Sequence, residues 1–427
     1  MLALAYSEKF IRIKQHTLFN TMDTTGQEAI RDIAMANRLT RQELQQIVDA
    51  AIDLEMWDEK SLVARWQELR QASRLQGREF KKWALRQLAG QLASLRDSTT
   101  LYHGQPRRQR PYRSRKIQLE QQPGARQIFG MCPVRSEKTL CCNLRTIDAV
   151  QNCGFGCSYC SIQTMYAGSN ISFDQHFRDK LEAIDLDPDR HYHIGTGQSS
   201  DALVWGNRYN ILEDMLQFAR KWPLALIEFK TKSKNVDYLL HTDVPRNVVC
   251  SWSLNPDIII RNEEHLTAGL IERLTAARAV ADRNIRVGFH LHPMLHYQGW
   301  GQDYSNLIAL ILERFQPEEV VFISFGALTF PRPILKKLRT YGIKSRINQT
   351  PMTANPEGKL TYPDPIKTQL FRHAYHAFTA WHGRVFFYLC MEEARFWDQS
   401  FGYRYPDNAT MEAALMQSAW GKLPASA

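Results

Sequence analysis

From residue 128 onward, short β-branched runs alternate with amphipathic segments, and this alternation limits the fold more than any other feature of the chain. "RTIDAV", "HYHIGTG", "ALIEFKT", "NVVCSWSL", "IRVGFHLH", "EVVFISFG" and "IKSRIN" read as strands. Between them "NRYNILEDMLQFARKW", "KNVDYLLHT", "EEHLTAGLIERLTAARAVADR" and "DYSNLIALILERF" read as helices. Such an order predicts an α/β fold with a mostly parallel sheet. Six or seven units are too few for a closed eightfold barrel, so a partial (β/α) barrel is expected. Its reactive groups would then lie at the C-terminal ends of the strands.

Residues 1–99 read as an all-helical region. In "LTRQELQQIVDAAIDLEMW", Thr40 stands three residues before Glu43, the spacing of a capping box, and Leu44, Ile47, Val48 and Ala51 follow as an apolar stripe. Residues 100–127 read as a basic, proline-containing linker, and 128–427 as the barrel with a C-terminal extension. The linker's "HGQPRRQRPYRSRK" carries Arg107, Arg108, Arg110, Arg113, Arg115 and Lys116, either as a solvated connection or as a phosphate-gripping arm. A formal net charge of +10 favours polyanionic partners. No apolar run is long enough to span a bilayer, and "MLALAYSEKFIRIKQ" lacks the features of a secretory signal. A cytoplasmic, reducing location is expected, where clustered thiols bind metal more often than they pair.

Three of the eight cysteines fall within "NCGFGCSYC", as Cys153, Cys157 and Cys160, directly after the first strand. A structural zinc site competes for this motif, with Cys132, Cys141 or Cys142 as a fourth ligand, but zinc usually takes two close pairs. Chance clustering of buried thiols is a second alternative. The spacing C-x3-C-x2-C at the first strand of a half-closed barrel fits best a 4Fe-4S cluster with three protein ligands. The open iron would chelate S-adenosyl-L-methionine (SAM), and one electron would release a 5′-deoxyadenosyl radical. Polar groups gather at the next strand ends. "GTGQSSD" brings Ser199, Ser200 and Asp201 after the second strand; Lys232 closes the third, and Ser253 with Asn255 closes the fourth.

With these motifs, "CP" at 132–133, "CCNL" at 141–144, "FKTKSKNVDYLL", "SWSLNP", "VGFHLHPMLHYQGW" and "YLCMEEARFW", the chain resembles the spore photoproduct lyase family of radical SAM enzymes. The resemblance runs from about residue 129 to 404 and leaves the N-terminal helices uncovered. It implies a partial (β/α) barrel of the radical SAM type, cluster ligation by Cys153, Cys157 and Cys160, and SAM contacts from Ser200, Asp201, Lys232, Ser253 and Asn255. Tyr159 matches a tyrosine between the last two ligands. The implied substrate is a damaged or modified nucleotide in DNA or RNA, and the implied electron donor is a flavodoxin or ferredoxin. Two positions depart from the family. Gln198 stands where the lyases carry their hydrogen-donating cysteine, and Ser161 where they carry a tyrosine. Lesion splitting therefore needs another hydrogen donor, and Cys132, Cys141 and Cys142 are the candidates.

Other residues are less specific. Cys250 and Cys390 read as core. His290 and His292 share one strand face, with His296 beyond them, and Glu392 and Glu393 follow a final strand in "RVFFYLC". Two alternatives remain: a radical enzyme on a small molecule or peptide, and a nucleic-acid-binding protein with a structural metal and no catalysis.

Overall fold

The computed structural model describes residues 2–102, 117–124, 127–133, 135–166, 170–340 and 344–423. The basic cluster from Arg107 to Lys116 lies outside them. Chain contacts divide the protein into two compact units, one of Met1–Tyr102 with Arg332–Pro351, the other holding most of the remainder.

The first unit is helical: α1 (Leu2–Lys14), α2 (Thr24–Asn37), α3 (Arg41–Met56), α4 (Leu62–Ala72) and α5 (Gly77–Asp97). Thr40 caps α3 as its sequence predicts. Glu43 N–H donates to Thr40 Oγ1 at 3.3 Å, and Thr40 N–H donates to Glu43 Oε2 at 2.7 Å. Leu44, Ile47 and Val48 are fully buried. The described part of "IKSRIN", residues 344–348, forms no strand. Its polar side chains find partners among the helices instead: Asn348 Oδ1 accepts from Trp57 Nε1 at 2.8 Å, and its Nδ2 donates to Asp53 Oδ1 at 3.2 Å. Arg339, on the helix Pro333–Thr340 of the same insertion, grips Asp53 through Nε and Nη2, each at 2.7 Å, and Asp49 through Nη1 at 2.9 Å. Asp53 is 1% exposed, so this insertion supplies the counter-charge for a buried carboxylate.

The second unit is built on one eight-stranded sheet. Its strands are β1 (Phe129–Met131), β2 (Arg145–Ile147), β3 (Tyr192–Thr196), β4 (Ala225–Thr231), β5 (Val248–Ser253), β6 (Arg286–Met294), β7 (Val320–Ala327) and β8 (Phe386–Leu389). β2 to β8 pair in parallel, each with the next, and β1 pairs antiparallel on the outer edge of β2. The sheet curls into a half-barrel whose crossovers include helices Ile211–Lys221, Leu270–Asp282 and Trp300–Arg314. β5 and β7 are buried at every position, as strands covered on both faces must be. The last parallel strand is β8, drawn from "RVFFYLC".

"RTIDAV" also differs from expectation, because it breaks in two. Arg145–Ile147 joins the main sheet, while Val150–Gln151 joins a small sheet with Leu119–Gln122 and Ile171–Asp174. Ser199 holds the break, its hydroxyl lying 2.7 Å from Asp148 Oδ1 and 2.6 Å from the Val150 carbonyl.

Replacing Arg339 by Leu strips the principal partner from buried Asp53 and is expected to cost about 3 kcal/mol, measured by urea unfolding of the full chain. A loss below about 0.5 kcal/mol would contradict the assigned role.

Candidate active site

The cysteine loop begins where the small sheet takes the chain from β2. Asn152 and Gly156 adopt left-handed φ of 71° and 66°, reversing the chain twice within five residues. Two backbone bonds then fasten the loop to the segment after β5: Ser158 N–H to the Glu263 carbonyl at 2.9 Å, and Leu266 N–H to the Phe155 carbonyl at 3.2 Å. Cys160 N–H closes a turn on the Cys157 carbonyl at 3.1 Å. Cys157 is buried; Cys153 and Cys160 are half-buried. Desolvation, chiefly, pushes the Cys153 thiol up to about 12 and raises Cys157 as well; Cys160 adds to both shifts and Cys153 to that of Cys157. Backbone N–H groups of Phe155 and Asp201 point at the Cys153 sulfur, the contact a thiolate ligand wants.

This donor set fits a cluster. Three soft thiols crowd together at a cost in ionisation that bound iron would reverse. Among the described residues, no three His, Cys, Asp or Glu side chains are placed to share a single ion.

Glu264 organises the surroundings, and sequence reasoning did not single it out. Its side chain is completely buried. Oε1 accepts from the Tyr159 hydroxyl, from Lys232 Nζ at 3.0 Å and from Asn255 Nδ2 at 3.1 Å; Oε2 accepts from Arg273 Nη2. Burial opposes ionisation, but the Arg273 and Lys232 charges prevail and hold the carboxyl far below its ordinary range. Lys232 Nζ also lies 3.0 Å from the Tyr159 hydroxyl. One carboxylate thus joins the cysteine loop, the end of β4, the second residue past β5 and the helix Leu270–Asp282.

The other strand-end residues lie close by. Asp201 is buried and accepts from Leu203 N–H at 3.1 Å, Val204 N–H at 2.9 Å, Thr231 Oγ1 at 2.7 Å and Lys232 N–H at 2.7 Å. It shapes the loop that offers its own N–H to Cys153. Gly197 has φ +92°, and a Cβ there would stand 2.7 Å from the Lys230 carbonyl, so only glycine lets this loop approach β4. Ser200 Oγ accepts from Trp205 Nε1 at 3.4 Å. The Ser253 carbonyl accepts from Arg273 Nη1 at 2.8 Å, and Asn255 Oδ1 from the Tyr304 hydroxyl at 2.9 Å.

Beside this shell lies a cavity of about 190 Å³ inside the half-barrel. Gln198, Ser161, Cys132, Cys141, Cys142 and Cys390 line it. Cys390 therefore faces open space rather than the core, because it continues the inward-facing register of Tyr388 past the end of β8. Leu140 closes the barrel's edge through a bridge to Glu392. Cys141 is lowered to about 7, first by a hydrogen bond from Cys142, whose own thiol is raised. One proton leaves the pair readily and the other is held. Glu392 lies outside the cavity, paired with Lys367 at 2.7 Å. Burial pushes it up to about 7. Glu393 stands at the start of the helix Ala394–Phe401 without capping it, its carboxylate accepting from Arg395 Nη2 at 2.9 Å.

The second unit is thus a parallel half-barrel with a three-thiol loop at the C-terminal end of its first inner strand. The comparisons with known proteins point to one family. The family model described as spore photoproduct lyase matches residues 146–340. The spore photoproduct lyase of Clostridium acetobutylicum is 24% identical over 183 residues, 41% of this chain and 54% of the relative. That of a Geobacillus species is 24% identical over 209 residues, 47% of this chain and 61% of the relative. The chain thus spans little more than half the length of these relatives. A cysteine-to-serine variant of spore photoproduct lyase superposes with a TM-score of 0.55 at 18% identity, covering 71% of this chain and 93% of that one. A doubly substituted variant "with bound AdoMet and dinucleoside spore photoproduct" superposes with a TM-score of 0.53 at 18% identity over the same shares. The resemblance is therefore to spore photoproduct lyases, a radical SAM family. No helix among the described residues is long and apolar enough to cross a membrane.

Alkylation by iodoacetamide should modify Cys141 faster than Cys142 or Cys390, with a rate that rises through a midpoint near pH 7, followed by peptide mass spectrometry. Equal reactivity of the three would contradict the shared-proton arrangement.

Proposed function

We propose that this chain is a radical SAM enzyme that abstracts hydrogen from a damaged or modified nucleotide in DNA or RNA. The observation that carries the reading is the fastening of the Cys153–Cys160 loop, through Tyr159 and Glu264, to the polar strand ends beside an open cavity. When bound, a 4Fe-4S cluster and SAM would supply a 5′-deoxyadenosyl radical by one-electron reductive cleavage, the electron coming from a flavodoxin or ferredoxin. Cys153, Cys157 and Cys160 would hold the cluster. Ser200, Asp201, Lys232, Ser253 and Asn255 would form the SAM shell, with the Lys232 charge already balanced by Glu264. Tyr159 holds the loop by donating to that carboxylate.

The nucleotide substrate rests on the similar structures that contain dinucleoside spore photoproduct. A base in duplex DNA would have to leave the stack to reach the cavity. Gln198 offers no weak S–H bond, so the Cys141–Cys142 pair is assigned the quench. The substrate C–H bond forms as an S–H bond breaks, and the sulfur radical left behind returns to thiol with one electron from the external donor and one proton. The helical region 1–99 and the linker 100–127 stand as accessory elements, and a cytoplasmic location suits the free thiols.

Anaerobic protein reconstituted with iron and sulfide, then given SAM and dithionite, should yield 5′-deoxyadenosine, and Cys157→Ala should yield none. No product from protein shown to hold an intact cluster would overturn the reading. Cys141→Ala and Cys142→Ala should still form 5′-deoxyadenosine while lesion repair in irradiated DNA, followed by chromatography, falls about tenfold or more. Unchanged repair in both would reassign the quench.

A further inference from the structure

The thiols around the cavity outnumber those that the reaction outlined above uses. Cys132, Cys141, Cys142 and Cys390 line its wall, half of the eight cysteines of the chain. They are not placed for a metal, because no three His, Cys, Asp or Glu side chains among the described residues could hold one ion. Cys142 is buried, and the other three are half-buried. Two strips of backbone bring them together. Leu140 and Glu392 pair across an antiparallel bridge, the Leu140 N–H donating to the Glu392 carbonyl at 3.2 Å. Cys141 follows Leu140, and Cys390 lies two residues before Glu392. Both strips are anchored. The Cys141 N–H donates to Asn408 Oδ1 at 2.8 Å, and the Cys390 N–H to the Phe325 carbonyl at 2.8 Å.

Their surroundings give these thiols different roles. Cys141 is lowered to about 7, first by the hydrogen bond from Cys142 and further by the Arg135 charge. A thiol whose acidity lies near ambient pH is the best attacking group in disulfide exchange, being both ionised and nucleophilic. Burial pushes Cys390 up to about 12 against the Lys230 charge, so Cys390 stays protonated until it is called on. Arg135 and Lys230 both line the cavity. Cys142 is a poor partner for Cys141 in a disulfide. Adjacent Cα atoms across a trans peptide stand about 3.8 Å apart, below the roughly 4.4–6.8 Å that a disulfide spans. Cα atoms facing across an antiparallel pair stand about 4.5–5.5 Å apart, so the bridge at Leu140 sets Cys141 and Cys390 near the favourable range.

We propose that Cys141 and Cys390 form a thiol–disulfide exchange site for low-molecular-weight disulfides. The Cys141 thiolate attacks one sulfur of the small disulfide, whose S–S bond breaks, and the other half leaves as a thiolate that takes up a proton. The Cys390 sulfur then attacks the Cys141 sulfur of the mixed disulfide, its proton passing to the second departing thiolate. Two electrons move from the protein to the small disulfide, two small thiols are released, and a Cys141–Cys390 bond remains. That bond removes the S–H hydrogen that Cys141 otherwise gives to a substrate radical. The exchange itself is independent of the function proposed above; only its effect on repair rests on that reading.

The test uses the full, cluster-loaded chain under anaerobic conditions, in a buffer of hydroxyethyl disulfide and 2-mercaptoethanol. Alkylation and peptide mass spectrometry then follow the tryptic peptides "TLCCNLR" and "VFFYLCMEEAR". The wild type should lose both thiols, keep no adduct and yield these peptides joined through Cys141 and Cys390, reversibly with dithiothreitol. The rate should rise through a midpoint near pH 7 and then level off. Cys390→Ser should trap the mercaptoethanol adduct on Cys141. Cys141→Ser should show neither adduct nor joined peptides, and Cys132→Ser should cross-link as the wild type does. Unreacted thiols, a stable adduct on the wild type, or a bond from Cys141 to Cys132 or Cys142 would overturn the proposal. Deoxyadenosine formation and lesion repair are read on the same samples. The oxidised chain should form deoxyadenosine as before while repair falls about tenfold. If the disulfide forms and deoxyadenosine does not, only the catalytic reading fails. If deoxyadenosine forms and the disulfide does not, only the exchange site fails.

Discussion

The ion cluster centred on Glu264 is the constraint on which the rest of the site depends. A carboxylate with no exposure would be prohibitively costly alone, so it must recruit donors from every neighbouring element. Those it recruits are Tyr159, Lys232, Asn255 and Arg273, and each belongs to a different segment. The loop carrying Cys153, Cys157 and Cys160 is too short and too rich in glycine to hold its shape unaided. Its register relative to the strand ends is set by Tyr159 meeting this charge and by the backbone bonds to Phe155 and Ser158. Asp201 repeats the device one strand earlier, satisfying four donors and presenting an N–H to the first sulfur.

A second buried carboxylate, Glu228, divides the barrel interior by function. Above it, at the strand ends, the polar groups are largely committed to one another around Glu264 and Asp201. At its own level, His193, His290 and Ser251 donate to the carboxylate, and His290 and His292 both meet the Ser324 hydroxyl. Interior alternation along β4 places Glu228, Lys230 and, just past the strand end, Lys232 on one face. The first accepts from three donors, the third is neutralised by Glu264, and the second lines the cavity. The thiols of Cys141, Cys142 and Cys390 enter the same space from the opposite edge of the sheet.

Much of this was legible before any coordinates. The cysteine spacing, the strand–helix alternation, the Thr40 cap and the polar endings at Asp201, Lys232, Ser253 and Asn255 are local patterns, and local patterns survive in one dimension. The pairing of His290 and His292 on one face followed from period two. What was not legible depends on long-range partners. Glu264 sits in "NEEH", which reads as an ordinary helix start, and its donors lie up to 105 residues away. "IKSRIN" has the composition of a strand, yet Asn348 reaches back 291 residues to Trp57. Lys230 carried one available signal, its alternation with Lys232 in "FKTK", which already implied a shared inward face. The break in "RTIDAV" had none, because it depends on Ser199 from the loop after the next strand.

The account's central claim is that three thiols, held in place by Glu264 and Asp201, leave one coordination position open for SAM. Electron paramagnetic resonance of the reduced, reconstituted full chain tests it most directly. The account predicts a cluster signal in wild type that changes shape on addition of SAM, the change being lost or weakened in Glu264→Gln while iron content is retained. A signal indifferent to SAM in wild type, or metal bound only as a single ion, would contradict it.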